Sequence, residues 1–130
     1  MSSPAKKECA CSVALKLIFA CSGSSDVGEI ADHAARKMMK DGHGKMYCLA
    51  GIGGRISGIM KSTEAAAKIL VIDGCPLSCA KNCLEQAGYA TFAHLQLGGL
   101  GMEKGKTPVT EDNIAKTADS GRDMLLKIKL

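Results

Sequence analysis

The stretch Lys68-Ile69-Leu70-Val71-Ile72-Asp73-Gly74-Cys75-Pro76-Leu77-Ser78-Cys79 decides how the rest of the chain reads. A continuous apolar run, rich in β-branched residues and closed by Asp-Gly, marks a strand from Lys68 to Asp73 that is buried on both faces. Strands of that kind belong to parallel sheets covered by helices. Pro76 then suits the first position of a helix whose apolar face is Leu77, Ala80, Leu84 and Ala87, ending at Gly88. A strand that runs into a cysteine and then a helix is one βα unit.

Upstream the same unit recurs. Val13 to Ala20 reads as a first strand running into Cys21 and then Ser22-Gly23-Ser24-Ser25. Lys45 to Ala50 is a second, shorter strand that carries Cys48, with Gly51-Ile52-Gly53-Gly54 as a loop behind it. Cys48 lies 27 residues after Cys21, and Cys75 lies 27 after Cys48. A βα unit repeats at about this period, so the three thiols are expected at the carboxyl ends of three parallel strands. Neighbouring strands lie about 4.8 Å apart. In open α/β sheets the ligand crevice lies beyond those strand ends, where the strand order reverses. A strand order of 2-1-3-4 sets Cys21 between Cys48 and Cys75.

Working outward, Asp26 and Glu29 have capping-box spacing at the start of a first helix. Its apolar face is Val27, Ile30, Ala31, Ala34 and Met38, and Gly42 closes it. Ile56 to Lys61 reads as a short helical turn, and Ser62 caps another short helix through Ala67. Thr91 to Leu97 is a fourth strand, followed by a glycine- and lysine-rich loop from Gly98 to Pro108. The last helix runs from about Glu111 to Lys127 with Ile114, Ala118, Leu125 and Ile128 as its stripe. Gly121 inside it costs roughly 1 kcal/mol relative to alanine and predicts a bend. The fold expected is α/β: a Rossmann-like three-layer sandwich around a doubly wound, mostly parallel four-stranded sheet. Residues 1–12 read as a flexible arm, and 13–130 as a single domain.

The 130 residues, 46% hydrophobic and 23% charged, suit one globular domain and exclude a disordered chain. Tryptophan is absent, and two Tyr and two Phe offer little surface for stacking bases. The net charge of +4 falls to +1 once Lys6, Lys7, Lys127, Lys129 and Glu8 in the tails are set aside. No nucleic-acid footprint results. Lys6 and Lys7 precede Val13 to Ala20 and loosely imitate a lipoprotein signal. Lys16 interrupts that run, and Phe19 stands where a small residue is required. No apolar run approaches the ~20 residues that span a bilayer, so no membrane association is expected. Seven cysteines in a chain too large to need disulfides indicate a reducing cytoplasm and thiols used for metal or redox work.

Cys79 stands four residues after Cys75. On a helix begun by Pro76, both would face the same way, and the free amides there would favour a thiolate. Four convergent thiolates suit tetrahedral zinc. Cysteine also simply packs in cores. Cys83 has a helical phase near Leu84 and Ala87, which favours packing over ligation, and Cys9 with Cys11 forms a tail pair. Asp73 reads either as a hydrogen-bond acceptor orienting the thiolates or as a turn-forming residue before glycine. His33 and His43 are expected to be exposed, and His94 approaches the site only if the fourth strand's register allows. Gly51 to Gly54 with Arg55 suggests an anion cradle, without a full GxGxxG because Ile56 holds the third glycine's place. No Ser-His-Asp or Cys-His spacing stands out, so a binding protein is expected rather than an enzyme.

The segments Asp73-Gly74-Cys75-Pro76-Leu77-Ser78-Cys79, Cys21-Ser22-Gly23 and Cys48-Leu49-Ala50-Gly51-Ile52-Gly53-Gly54 closely resemble the DGC-domain proteins, small prokaryotic proteins associated with zinc. The likeness runs from about Val13 to Ala118 and includes Gly101 to Thr110. It implies one zinc ion held by Cys21, Cys48, Cys75 and Cys79, and it carries no reaction with it. From the residues alone two other uses stay open. One is thiol redox or sulfur transfer, with Cys75 attacking and Cys79 or Cys83 resolving. The other is an iron–sulfur cluster.

Overall fold

The computed structural model describes residues 15–128, so the arm at 1–12 with Cys9 and Cys11 lies outside the described residues. The elements are β1 (Lys16–Ala20), α1 (Asp26–Lys40), β2 (Lys45–Met46), α2 (Leu49–Gly53), α3 (Ser57–Glu64), β3 (Lys68–Asp73), α4 (Cys79–Gln86), β4 (Ala93–Gln96), a 3-10 turn (Leu97–Leu100) and α5 (Glu111–Lys127). The four strands are all parallel in the order β2-β1-β3-β4. The expected α/β sandwich is therefore what the chain adopts, with the strand order that sets Cys21 in the middle.

Alternation along the strands divides the core. Ile18 and Ala20 of β1, with Leu70 and Ile72 of β3, face α1 and α5. Leu17, Phe19, Ile69 and Val71 face the other way, against Ile52 of α2 and Ala80 and Leu84 of α4. Both faces of the sheet are thus covered, which explains why β3 lacks any polar alternation.

Helix α1 begins one residue differently from its capping-box reading. Ser25 is the cap, its Oγ accepting from the Gly28 amide at 3.0 Å. Asp26 is thereby released for another task. Its carboxylate accepts from the Gly105 amide at 2.9 Å and from the Thr107 amide at 3.3 Å, tying the 103–107 loop to the start of α1. The bond from Gly105 is the largest cause holding the Asp26 carboxyl below its ordinary value of 3.8. A depressed carboxyl stabilises the fold above its unfolded pKa, and that contribution is lost as pH falls through the folded value. The protection of the Gly105 and Thr107 amides against exchange, relative to an unstructured chain at the same pH, should therefore fall below about pH 4. Asp26→Asn should show the low protection already at pH 7, with little further change in protection on acidification. Exchange in Asp26→Asn equal to wild type at neutral pH would rule the tether out.

Several other boundaries move. β2 keeps only two residues because Leu49 to Gly53 turn into a short helix instead of continuing the strand. Ile56 to Ala67 forms one helix, Ser57–Glu64, rather than two. α5 runs unbroken past Gly121. A Cβ at Gly121 would lie 2.8 Å from Met38 Sδ and 3.2 Å from Leu70 Cδ2. The glycine lets α5 press onto α1 and β3, and its propensity cost secures close packing rather than a bend. Among the described residues no helix is long and apolar enough to cross a membrane.

Candidate thiol site at the carboxyl edge of the sheet

β1, β2 and β3 run the same way, so residues that follow them share one edge of the sheet. Cys21 continues β1 by one residue, its amide donating to Ile72 O at 3.1 Å. The Cys21 Sγ in turn accepts from the Gly74 amide at 3.3 Å. Cys21 and Cys75 are half-buried, and Cys48 and Cys79 are exposed. All five described cysteines are free. The order β2-β1-β3-β4 sets Cys21 between the other two.

The thiols share the edge without converging. Among the described residues no three His, Cys, Asp or Glu side chains come together closely enough to hold a metal. The register supplies a reason. Ile18 pairs with Met46 and Ala20 with Ile72, so carrying each strand straight on sets Cys48 level with Ala20 and Cys75 level with Gly23. A three-residue stagger is about 10 Å along the strands, added to about 10 Å across two strand spacings.

The helix expected to start at Pro76 does not. Cys75 to Ser78 is a β-turn, with the Ser78 amide donating to Cys75 O at 3.2 Å, and α4 begins only at Cys79. Proline fits the second position of such a turn as well as it fits a helix start. Ser78 precedes the helix in the left-handed region at φ 54°. Cys75 and Cys79 are therefore not one helical turn apart on a common face. Leu77, expected on the apolar face, is 67% exposed.

Asp73 takes the place at the helix start that a thiolate was expected to fill. It is 1% exposed. Its Oδ1 accepts from the Ala80 amide at 2.8 Å and its Oδ2 from the Lys81 amide at 3.0 Å. The first-turn amides of α4 are thus satisfied by a carboxylate reaching up from the strand. His94 Nε2 donates to the same Oδ2 at 2.8 Å. Val71 pairs with His94 and Asp73 with Gln96, so both β4 side chains fall on the face that Asp73 uses. His94 thus spends its Nε2 on Asp73. Gln96 Nε2 donates to Cys75 O at 3.1 Å and to Ser78 Oγ at 2.9 Å, pinning the turn.

Gly74 answers a different need. A Cβ there would meet the Val27 carbonyl carbon and oxygen at 2.5 Å and the Gly28 nitrogen at 2.7 Å. The backbone between Asp73 and Cys75 passes directly against the first turn of α1.

On the other flank, Cys21, Cys48 and Cys83 line one cleft of about 640 Å³ between β1, α1, α2 and α4. Cys83 is half-buried and faces this cleft rather than the core, where α4 buries Ala80 and Leu84. Ser22, Asp32 and Arg36 form part of the wall. Arg36 Nε donates to Asp32 Oδ2 at 2.7 Å, and Ser22 Oγ donates to Asp32 Oδ1 at 2.7 Å. Burial alone would raise the Asp32 carboxyl, but these two hydrogen bonds and the Arg36 charge bring it below its ordinary value. Nothing in the sequence spacing of Ser22, Asp32 and Arg36 to the cysteines signals this wall.

The glycine loop is no anion cradle. Gly51 and Gly53 are helical, and Arg55 turns its guanidinium onto Ile52 O at 2.7 Å and Gln86 O at 3.1 Å. Both terminal nitrogens are thus engaged by carbonyls at two helix ends. His33 is exposed and bonds Glu29, and His43 is half-buried.

Fold and edge together define a parallel three-layer α/β domain in which three of the four strands run into cysteines. Residues 17–120 match the DGC domain, and the chain belongs to that family. It is 36% identical over 90 residues to the anaerobic and virulence modulator AnvM of Pseudomonas aeruginosa PAO1, a stretch that covers 69% of each protein. No solved structure matches the chain.

Proposed function

We propose that this protein binds one zinc ion through Cys21, Cys48, Cys75 and Cys79. What supports the reading above all is the placement of Cys21, Cys48 and Cys75 just beyond three adjacent parallel strands, with Cys21 in the middle. The donor set suits the ion, since four free thiols form the soft shell zinc favours. Because the four do not converge in the arrangement described, binding has to draw Cys48 and Cys79 inward. Cys48 follows a two-residue strand, and Cys79 opens α4. The metal would then act as a staple across the edge of the sheet. A shell of four thiolates leaves no open position, so the role fits structure or sensing rather than catalysis. The AnvM relative is named a modulator, which suits a protein whose state is read by others.

Protein purified without air should carry close to one zinc per chain and show no visible colour. Cys→Ser at each of the four positions should lower the zinc content, and zinc should slow amide exchange in the segments around Cys48 and Cys79. A brown absorbance would replace zinc with an iron–sulfur cluster. Unchanged zinc in all four serine variants would remove the ligand set altogether.

A further inference from the structure

The cleft lined by Cys21, Cys48 and Cys83 is not accounted for by the zinc reading, which uses neither Cys83 nor the Ser22–Asp32–Arg36 wall. Its volume of about 640 Å³ is of small-metabolite size. Cys48 is the exposed thiol of the three, whereas Cys21 and Cys83 are half-buried. Opposite stands Arg36, its Nε held by Asp32, which Ser22 holds in turn. Its terminal nitrogens have no hydrogen-bond acceptor among the described residues, and the side chain is 62% exposed. The network fixes the root of the guanidinium, and Arg36 lines the cleft with its terminal nitrogens unspent, which suits a carboxylate.

We propose that the cleft of the metal-free protein takes a low-molecular-weight disulfide bearing carboxylates, and that Cys48 exchanges with it. The Cys48 thiolate attacks one sulfur of the disulfide, a Cys48–S–S bond forms, and the old S–S bond breaks. The departing thiolate takes up the proton that Cys48 released. The small disulfide is the only oxidant: Cys48 is oxidised and half of the disulfide leaves as free thiol. Arg36 orients the incoming molecule through its carboxylate. Cys79, also exposed but outside the cleft, is the internal comparison.

The test uses metal-stripped full-length protein, oxidised glutathione as the probe, and mass spectrometry with peptide mapping over time. Cys48 should be modified ahead of Cys79. Arg36→Gln should slow the Cys48 adduct about five-fold, the scale of one exposed ion pair, and Arg36→Lys should restore part of the rate. With the uncharged 2-hydroxyethyl disulfide, Arg36→Gln should leave the Cys48 rate unchanged. Because Arg36 and Asp32 form a surface helix pair, the variant is expected to fold normally, and circular dichroism checks this. Equal rates at Cys48 and Cys79, or an Arg36→Gln effect that is absent or the same for both disulfides, would overturn the proposal. Because no metal is present, failure of the zinc reading leaves this outcome untouched.

Discussion

Asp73→Ala should cost about 3–5 kcal/mol of folding stability, the scale of removing one partner from a buried, hydrogen-bonded charge. Three donors lose their acceptor at once: the Ala80 and Lys81 amides and the His94 imidazole. Asp73 itself is 1% exposed, so these donors meet their acceptor away from bulk solvent. A domain of this size has roughly 5–15 kcal/mol to lose, so the variant should sit close to unfolding at room temperature. Asp73→Asn keeps one acceptor oxygen and should lose less. Urea titration followed by circular dichroism measures both. An Asp73→Ala midpoint indistinguishable from wild type would mean that α4 does not depend on this carboxylate.

Gly74→Ala is expected to destabilise by at least about 2–3 kcal/mol, the upper part of the range for overpacking. The added methyl carbon would stand 2.5 Å from the carbonyl of Val27 and 2.7 Å from the nitrogen of Gly28. Those are backbone atoms in the first turn of α1, so relief requires shifting the helix and not merely turning a side chain. Gly23 is the matched control, because a Cβ there meets nothing within 4 Å. Gly23→Ala should leave the urea midpoint within about 0.5 kcal/mol of wild type. If the two alanine variants melt together, the close approach of β3 to α1 does not limit this position.

These two positions also mark where the sequence was legible and where it was not. The apolar run from Ile69 to Ile72 and the 27-residue interval were enough to place three cysteines at one edge of the sheet, because strand burial and βα period are local properties; the strand order is not local and entered only as a condition. α5 was found from its stripe to its ends for the same reason. Pro76 was misread because a helix start and a β-turn ask the same φ of proline. What separated them was a glutamine on β4, 20 residues away in the chain, bonding Cys75 O and Ser78 Oγ. The partnership of Asp73 with His94 was hidden likewise, since it depends on the β3–β4 register and not on spacing. Cys83 fell close to the apolar phase of its helix, and only the packing of α4 beside α2 showed that it borders a cleft. The glycines from Gly51 to Gly54 resembled a phosphate loop, yet a helix that short is cheap to form once Ile52 is buried.

The Asp-Gly-Cys tripeptide divides its three residues among three clients: a helix start, a neighbouring helix backbone, and the open edge. Only the third is chemical. A lineage could therefore exchange Cys75 for another small residue while keeping Asp73 and Gly74, and the architecture would survive without that thiol. Descent and chemistry are separable in this tripeptide, so inheriting its first two letters says nothing about whether a chain retains the thiol.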